Sequence, residues 1–216
     1  MIIPASSHDP PRTASAEPSE CEWATLDTEA KRERLLRTAA EVFAREGLDA
    51  PMPAVAAAAG AGVASVYRQF PSKHELLAAL VTRRLEQVAD AALGAFAREG
   101  DCWSALTEML WMLVEQEAAD DFLGEARTAV AEHPEVVAAT EQATGAIEQL
   151  LAGARAEGRL RADASMLDLR LLFAATRAAK HVEPQAWPRM LELLIDALDT
   201  DPRARAQGGH QTRVST

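Results

Sequence analysis

Cysteine is nearly missing from this chain: only Cys21 and Cys102 occur in 216 residues. That excludes a disulfide framework and any zinc site built on paired thiolates, and it fits a reducing compartment. Aromatic residues make up only 5% of the chain. Runs of Val, Ile, Thr and Tyr, which suit strands, are almost absent. A β-sandwich, a β-barrel and a doubly wound α/β enzyme are therefore excluded. The opening residues, MIIPASSHDPP, contain no basic segment of the kind that starts a secretion signal. The long uncharged stretch from Ala50 to Tyr67 is broken by Pro51, Pro53, Gly60 and Gly62 and is mostly alanine. It is too weakly apolar to sit in lipid. The expectation is a cytoplasmic protein with no membrane partner.

What the chain does have is helix-forming residues. Hydrophobic residues reach 48% and charged residues 25%, enough to bury one sizeable core. Ala, Leu, Glu and Arg dominate, all strong helix formers, so the expected class is all-α. The formal net charge is −11, but it is unevenly spread. Residues 28–73 hold seven basic and five acidic side chains, whereas residues 74–199 hold eleven basic and twenty-two acidic. One short basic segment inside an acidic chain is a candidate docking face for a polyanion.

The pattern between residues 27 and 200 is helical throughout, and about nine helices are expected. Residues 1–26 carry Pro4, Pro10, Pro11 and Pro18 without apolar periodicity and read as a disordered arm. Residues 201–216, with Pro202 and Gly208-Gly209, read as a disordered tail. Helices are expected over about 28–46, 53–59, 63–69, 72–98, 101–118, 121–132, 134–157, 164–180 and 185–199. Ser72 and Glu75 suit a capping box at the start of the fourth.

The segments 53–59 and 63–69, joined by Gly60-Ala61-Gly62, have the form of a helix-turn-helix. Ala56, Ala57, Ala58 and Ala59 are small enough for a tight helix crossing, and the glycines permit the turn. Val55, Val66 and Phe70 can share a small core with Leu36, Val42 and Phe43. Ala64, Ser65, Tyr67, Arg68 and Gln69 are then left to face a groove. Arg68 and Gln69 suit either DNA contact or hydrogen bonding within the domain. Lys31, Arg32 and Arg34 read as a solvated face.

The segment AAAAGAGVASVYRQFPSKHELL, Ala56 to Leu77, resembles the DNA-binding domain of the TetR family of bacterial transcriptional regulators. Ala59, Gly60, Val66, Tyr67, Phe70, Ser72 and Lys73 carry the resemblance, with Ala40, Phe43 and Gly47 upstream. It implies an N-terminal three-helix DNA-binding domain over 27–73. It also implies a C-terminal helical bundle over 74–200 that binds an effector and dimerises. Gly62, Val63, Ala64, Ser65, Tyr67, Arg68, Gln69 and Lys73 become the expected DNA-binding residues. The family often opens the second helix with Thr or Ser, where this chain has Pro51-Met52-Pro53. Val63 and Ala64 stand where many members carry Lys or Arg, so thymine methyl contacts and DNA shape are expected to carry readout.

No enzyme motif competes. H-E-x-x-H, G-x-S-x-G and the phosphate-binding G-x-x-x-x-G-K are all absent, and no histidine has Glu three residues before it. No catalytic residue, metal ligand or cofactor is therefore assigned from the sequence. The segment from Trp103 to Gln116 is apolar nearly all round, the mark of a buried helix or a pocket wall. Trp103, Leu106, Met109, Leu110, Met112, Leu113 and Gln116, with Phe122, Phe173 and Thr176, form the expected effector pocket. The expected function is a homodimeric, sequence-specific regulator on pseudo-palindromic double-stranded operator DNA. It would be a repressor released by an apolar small molecule. The alternative is a helical-bundle binding protein or enzyme of the same fold that no longer binds DNA.

Overall fold

The computed structural model describes residues 20–97, 101–119 and 122–200. Ten helices run in chain order: α1 (Glu20–Thr25), α2 (Thr28–Glu46), α3 (Met52–Ala59), α4 (Val63–Gln69) and α5 (Lys73–Ala97). Then come α6 (Cys102–Ala119), α7 (Phe122–Ala129), α8 (Pro134–Ala156), α9 (Met166–Val182) and α10 (Trp187–Leu198). Among the described residues there is no strand, only an isolated bridge between Leu160 and Asp199. The all-α class holds, with the expected helices in place to within a few residues.

The added helix is α1. It falls inside the segment expected to be a disordered arm, of which residues 1–19 lie outside the described residues, as does the tail 201–216. Trp23 explains the difference: it is buried in the apolar core. A large ring offers enough buried area to hold one helical turn that no periodicity announces.

Local chemistry sets the helix ends. Asp27 caps α2, its Oδ1 accepting from the Ala30 N–H at 2.8 Å. Pro53 sits in the first turn of α3, where its missing N–H costs nothing. Gly60 ends α3 at φ 65° and ψ 30°, left-handed backbone that a side chain strains. Its N–H donates to the Ala57 carbonyl and that of Ala61 to the Ala56 carbonyl, closing a Schellman turn. The Ser72 hydroxyl accepts from the Glu75 N–H at 3.1 Å, as a capping box requires. The Glu75 carboxylate, however, faces His133 at 3.4 Å. A complete capping box, Ser165 with Asp168, opens α9.

The body is built on α5, which packs most extensively on α8 and also meets α2, α6 and α7. Residues Leu76 to Val81 of α5 are buried one after another, so this part of the helix is enclosed on every side. The N-terminus of α6 is held from α8's end: the Glu157 carboxylate accepts from the N–H groups of Cys102 at 2.6 Å and Trp103 at 3.0 Å. Gly153 of α8 lies beneath it, where a Cβ would come 2.5 Å from Cys102 Sγ. Cys102 is thus a packing residue. Burial and the Glu157 and Asp101 carboxylates push its thiol pKa up, away from the reactive thiolate. Asp199, buried after α10, pairs with Arg159 at 3.0 Å and ties the α8–α9 connection to the end of the bundle.

Gly60→Ala places a Cβ in left-handed backbone at the α3–α4 turn. The expected result is a loss of about 1–2 kcal/mol in stability, read from the denaturant midpoint.

Candidate nucleic-acid interface and effector cavity

The α3–α4 unit is seated from inside. Val55 and Val66 are fully buried, and Phe70, Leu36, Val42 and Phe43 join them as expected. With that inner row fixed, the outer row of α4 has nowhere to go but solvent. Val63 is 42% exposed and Tyr67 44%, large values for apolar side chains one helical turn apart. Gly62, Ala64 and Arg68 are exposed beside them, and Ser65 and Gln69 are half-buried. Gly62 precedes α4 in extended backbone. A Cβ there would meet nothing within 4 Å.

The cations around this face are partly engaged. Arg68 donates from Nη2 to Ser65 Oγ at 2.7 Å, so these two expected contacts are linked to each other. Lys73 is half-buried, with Nζ 5.6 Å from the centre of the Phe43 ring. Arg32, read from the sequence as part of a solvated face, is half-buried over the Phe70 ring at 4.6 Å. It therefore braces the end of α4. Arg83 of α5 pairs with Glu33 of α2 at 2.9 Å, fixing the head to the helix that leaves it. The sequence carried no signal for either contact, because the partners lie on different helices.

The cavity in the body is on another face from the expected one. A volume of about 420 Å³ opens between α5, α7, α8 and α9, with only Leu113 contributed by α6. That size is within the range of small-molecule sites. Of the ten expected pocket residues, Leu113 and Phe173 line it. Trp103, Leu106, Met109 and Leu110 are core, and Met112 packs against that core. Phe122 is buried with its ring 6.1 Å from Phe43, joining α7 to α2. The Thr176 hydroxyl donates within its own helix, to the Leu172 and Phe173 carbonyls. Gln116 is half-buried, and its Oε1 is enclosed with no hydrogen-bond partner. The reason for the shift is position: α6 is apolar all round because it lies among α5, α8 and α9.

The wall that does face the cavity carries Arg84, Arg127, Arg170 and Arg177 with Thr128, Thr140 and Thr144. No acidic side chain among the described residues lines it. Val81, Arg84, Leu85 and Val88 of α5 form one side. Their spacing places them on a single stripe of the helix. The only hint in the sequence was Arg170 and Arg177, seven residues apart on one helix.

Residues 35–80 match the family described as bacterial regulatory proteins, tetR family. A TetR transcription regulatory protein from Mycobacterium vanbaalenii is 30% identical, with a TM-score of 0.58 over 78% of this chain and 94% of that one. A TetR transcriptional regulator from Streptomyces coelicolor is 26% identical, with a TM-score of 0.61 over 78% of this chain and 98% of that one. SmeT, the repressor of a Stenotrophomonas maltophilia multidrug efflux pump, is 25% identical, with a TM-score of 0.59 over 82% and 94%. No curated protein sequence matches the chain. No helix among the described residues is long and apolar enough to cross a membrane.

Proposed function

The chain belongs to the TetR family of bacterial regulatory proteins, and on that premise we propose that it is an operator-binding repressor released by an organic anion. The exposed Val63–Tyr67 edge of α4, on a helix clamped from inside by Val66 and Phe70, is the observation that carries the DNA reading. A rigid helix presenting an apolar and phenolic edge fits a major groove. Tyr67 and Lys73 would position the head through phosphates, with Gly62, Ser65, Arg68 and Gln69 beside them. Val63 and Ala64 would meet base edges.

Dimerisation is supported by the outer face of α9 and α10. Leu167 is 62% exposed, Leu171 57% and Leu193 48%. Ala174 and Ala178 continue the α9 stripe and are exposed as well. Leucines and alanines in one row suit close helix packing between two copies. A two-fold axis would set the recognition helices about 34–36 Å apart, or a multiple of that, for a pseudo-palindromic site.

The effector class follows from the cavity wall. Four arginines with threonine hydroxyls and an apolar remainder suit an amphiphile with a carboxylate or similar acidic head. The apolar α6 points instead to an uncharged effector, and the acid–ester comparison below decides between the two. An anion in the cavity would touch α5 at Val81 to Val88, and Val81 lies about 12 Å along that helix from Lys73. Repression would be relieved if the bound anion favours an α5 tilt that the operator disfavours.

Three measurements test this reading. Lys73→Ala is expected to weaken binding to all duplexes alike and to lower the salt slope by about 1, measured by anisotropy on a mixed-sequence duplex across salt. An unchanged slope would leave Lys73 as a packing partner of Phe43. Substituting both Leu167 and Leu171 by Glu should give a folded monomer by sedimentation at micromolar concentration, where the parent chain is a dimer. Carboxylates with aliphatic or aromatic bodies should bind about 10-fold tighter than their methyl esters, and Arg170→Ala should remove that preference. Equal affinity for acid and ester would sink the anion assignment without touching the DNA reading.

A further inference from the structure

Apart from the α4 edge and the arginine-lined cavity, the fold gathers three metal-ligating side chains that the sequence keeps far apart. His74 and Glu75 are neighbours in the first turn of α5, and His133 is the residue that opens α8. Their ligand atoms all lie within 4.8 Å of one another. Tetrahedral ligation at about 2.0–2.2 Å separates ligand atoms by about 3.3–3.6 Å. His133 Nε2 and Glu75 Oε2 already stand 3.4 Å apart. The His74 and His133 rings have centroids 5.7 Å apart, so a modest rotamer change completes the set.

His133 carries a second observation. It stands at the N-cap position of α8, yet its side chain makes no capping hydrogen bond. Its Nδ1 is buried and has no hydrogen-bond partner. With Nδ1 enclosed, the nitrogen left to face the cluster is Nε2, which already lies 3.4 Å from Glu75 Oε2. The neighbouring cation does not block the position, since the Lys73 ammonium is turned toward the Phe43 ring. The helix starts oppose positive charge here, and the Glu75 carboxylate offsets them. Two imidazoles and one carboxylate, with no thiolate, suit a borderline divalent ion rather than calcium, magnesium or copper(I).

We propose that His74, Glu75 and His133 bind a divalent ion of the zinc class, leaving its fourth position open to water. The sequence shows no metal motif here because His74-Glu75 and His133 stand far apart in the chain. The folded chain supplies the juxtaposition by docking α8's start on α5. Ligation would cross-link the first turn of α5, which carries the head, to the body. It would thereby fix the angle between them.

The test uses the full-length chain stripped with a chelator and titrated with cobalt(II), whose visible absorption reports tetrahedral nitrogen and oxygen ligation. One cobalt per chain, displaced by zinc, is expected. Zinc should also raise the melting temperature. His74→Ala and Glu75→Gln alter exposed side chains, and each should weaken cobalt affinity by about 10-fold or more while preserving the helical circular dichroism. Zinc should then no longer raise the melting temperature of His74→Ala. No saturable uptake in excess metal overturns the proposal. So does uptake that is the same in both variants and the parent chain, since the ion would then sit elsewhere, for example on His8 or His210. None of these readouts involves DNA or the anion cavity, so this site and the proposed function can fail separately.

Discussion

The enclosure of α5 is the constraint on which the rest of the molecule depends. From Leu76 to Val81 six successive residues are buried, which happens only when a helix has neighbours on every side. Here the neighbours are α2 from the head and α6, α7 and α8 from the body. One helix is therefore packed both against the helix-turn-helix end and against the bundle. Its alanines matter as much as its leucines. Ala78, Ala79, Ala89 and Ala92 are all buried, and they let the flanking helices approach without leaving voids.

Small residues recur wherever two elements must come close. Ala56 and Ala59 of α3 are buried against the helix-turn-helix core, and Gly60 turns the chain in backbone that only glycine enters readily. Gly153 does the same between α8 and the start of α6, leaving room for the Cys102 sulfur. A low aromatic content and a high alanine content are thus two sides of one design. The helices are packed near one another, and the few large rings act as joints. Phe43 shows this best: it meets Phe122 of α7 on one contact and the Lys73 ammonium on another.

How far the sequence could be read follows from the range of each interaction. Helix ends were legible because prolines and glycines act over three or four residues: Pro53, Gly60 and Pro134 all stand where their local chemistry places them. The inner row of the head was legible because Val55, Val66 and Phe70 follow helical period. Trp23 was not, since a single ring without periodicity shows no structure until a core is built around it. The cavity was not, since Arg84, Arg127, Arg170 and Arg177 come from α5, α7 and α9 and meet only in three dimensions. The apolar face of α6 drew the pocket assignment to itself. A helix surrounded by other helices and a helix lining a hole have the same composition, and only the packing separates them.

The charge distribution gives α5 a further role. An acidic body carries a head with a basic excess, so an approaching polyanion is repelled by one part and attracted by the other. Such an asymmetry would orient a polyanion before contact and weaken non-specific adhesion of the body. The cavity inverts this rule locally, with arginines on its wall inside an acidic domain. The proposed anion would find that wall beside Val81, Arg84, Leu85 and Val88 of α5. The His74–Glu75–His133 cluster reaches the same helix at its first turn. In the proposed function, an occupant of either position would act on the head by discriminating between positions of α5. The coupling could not exceed that discrimination, and DNA would then change the occupant's affinity by the same factor. A rigid helix packed over most of its length is suited to this. Enclosed from Leu76 to Val81, it would pass a displacement at Val81 or at His74 toward the head.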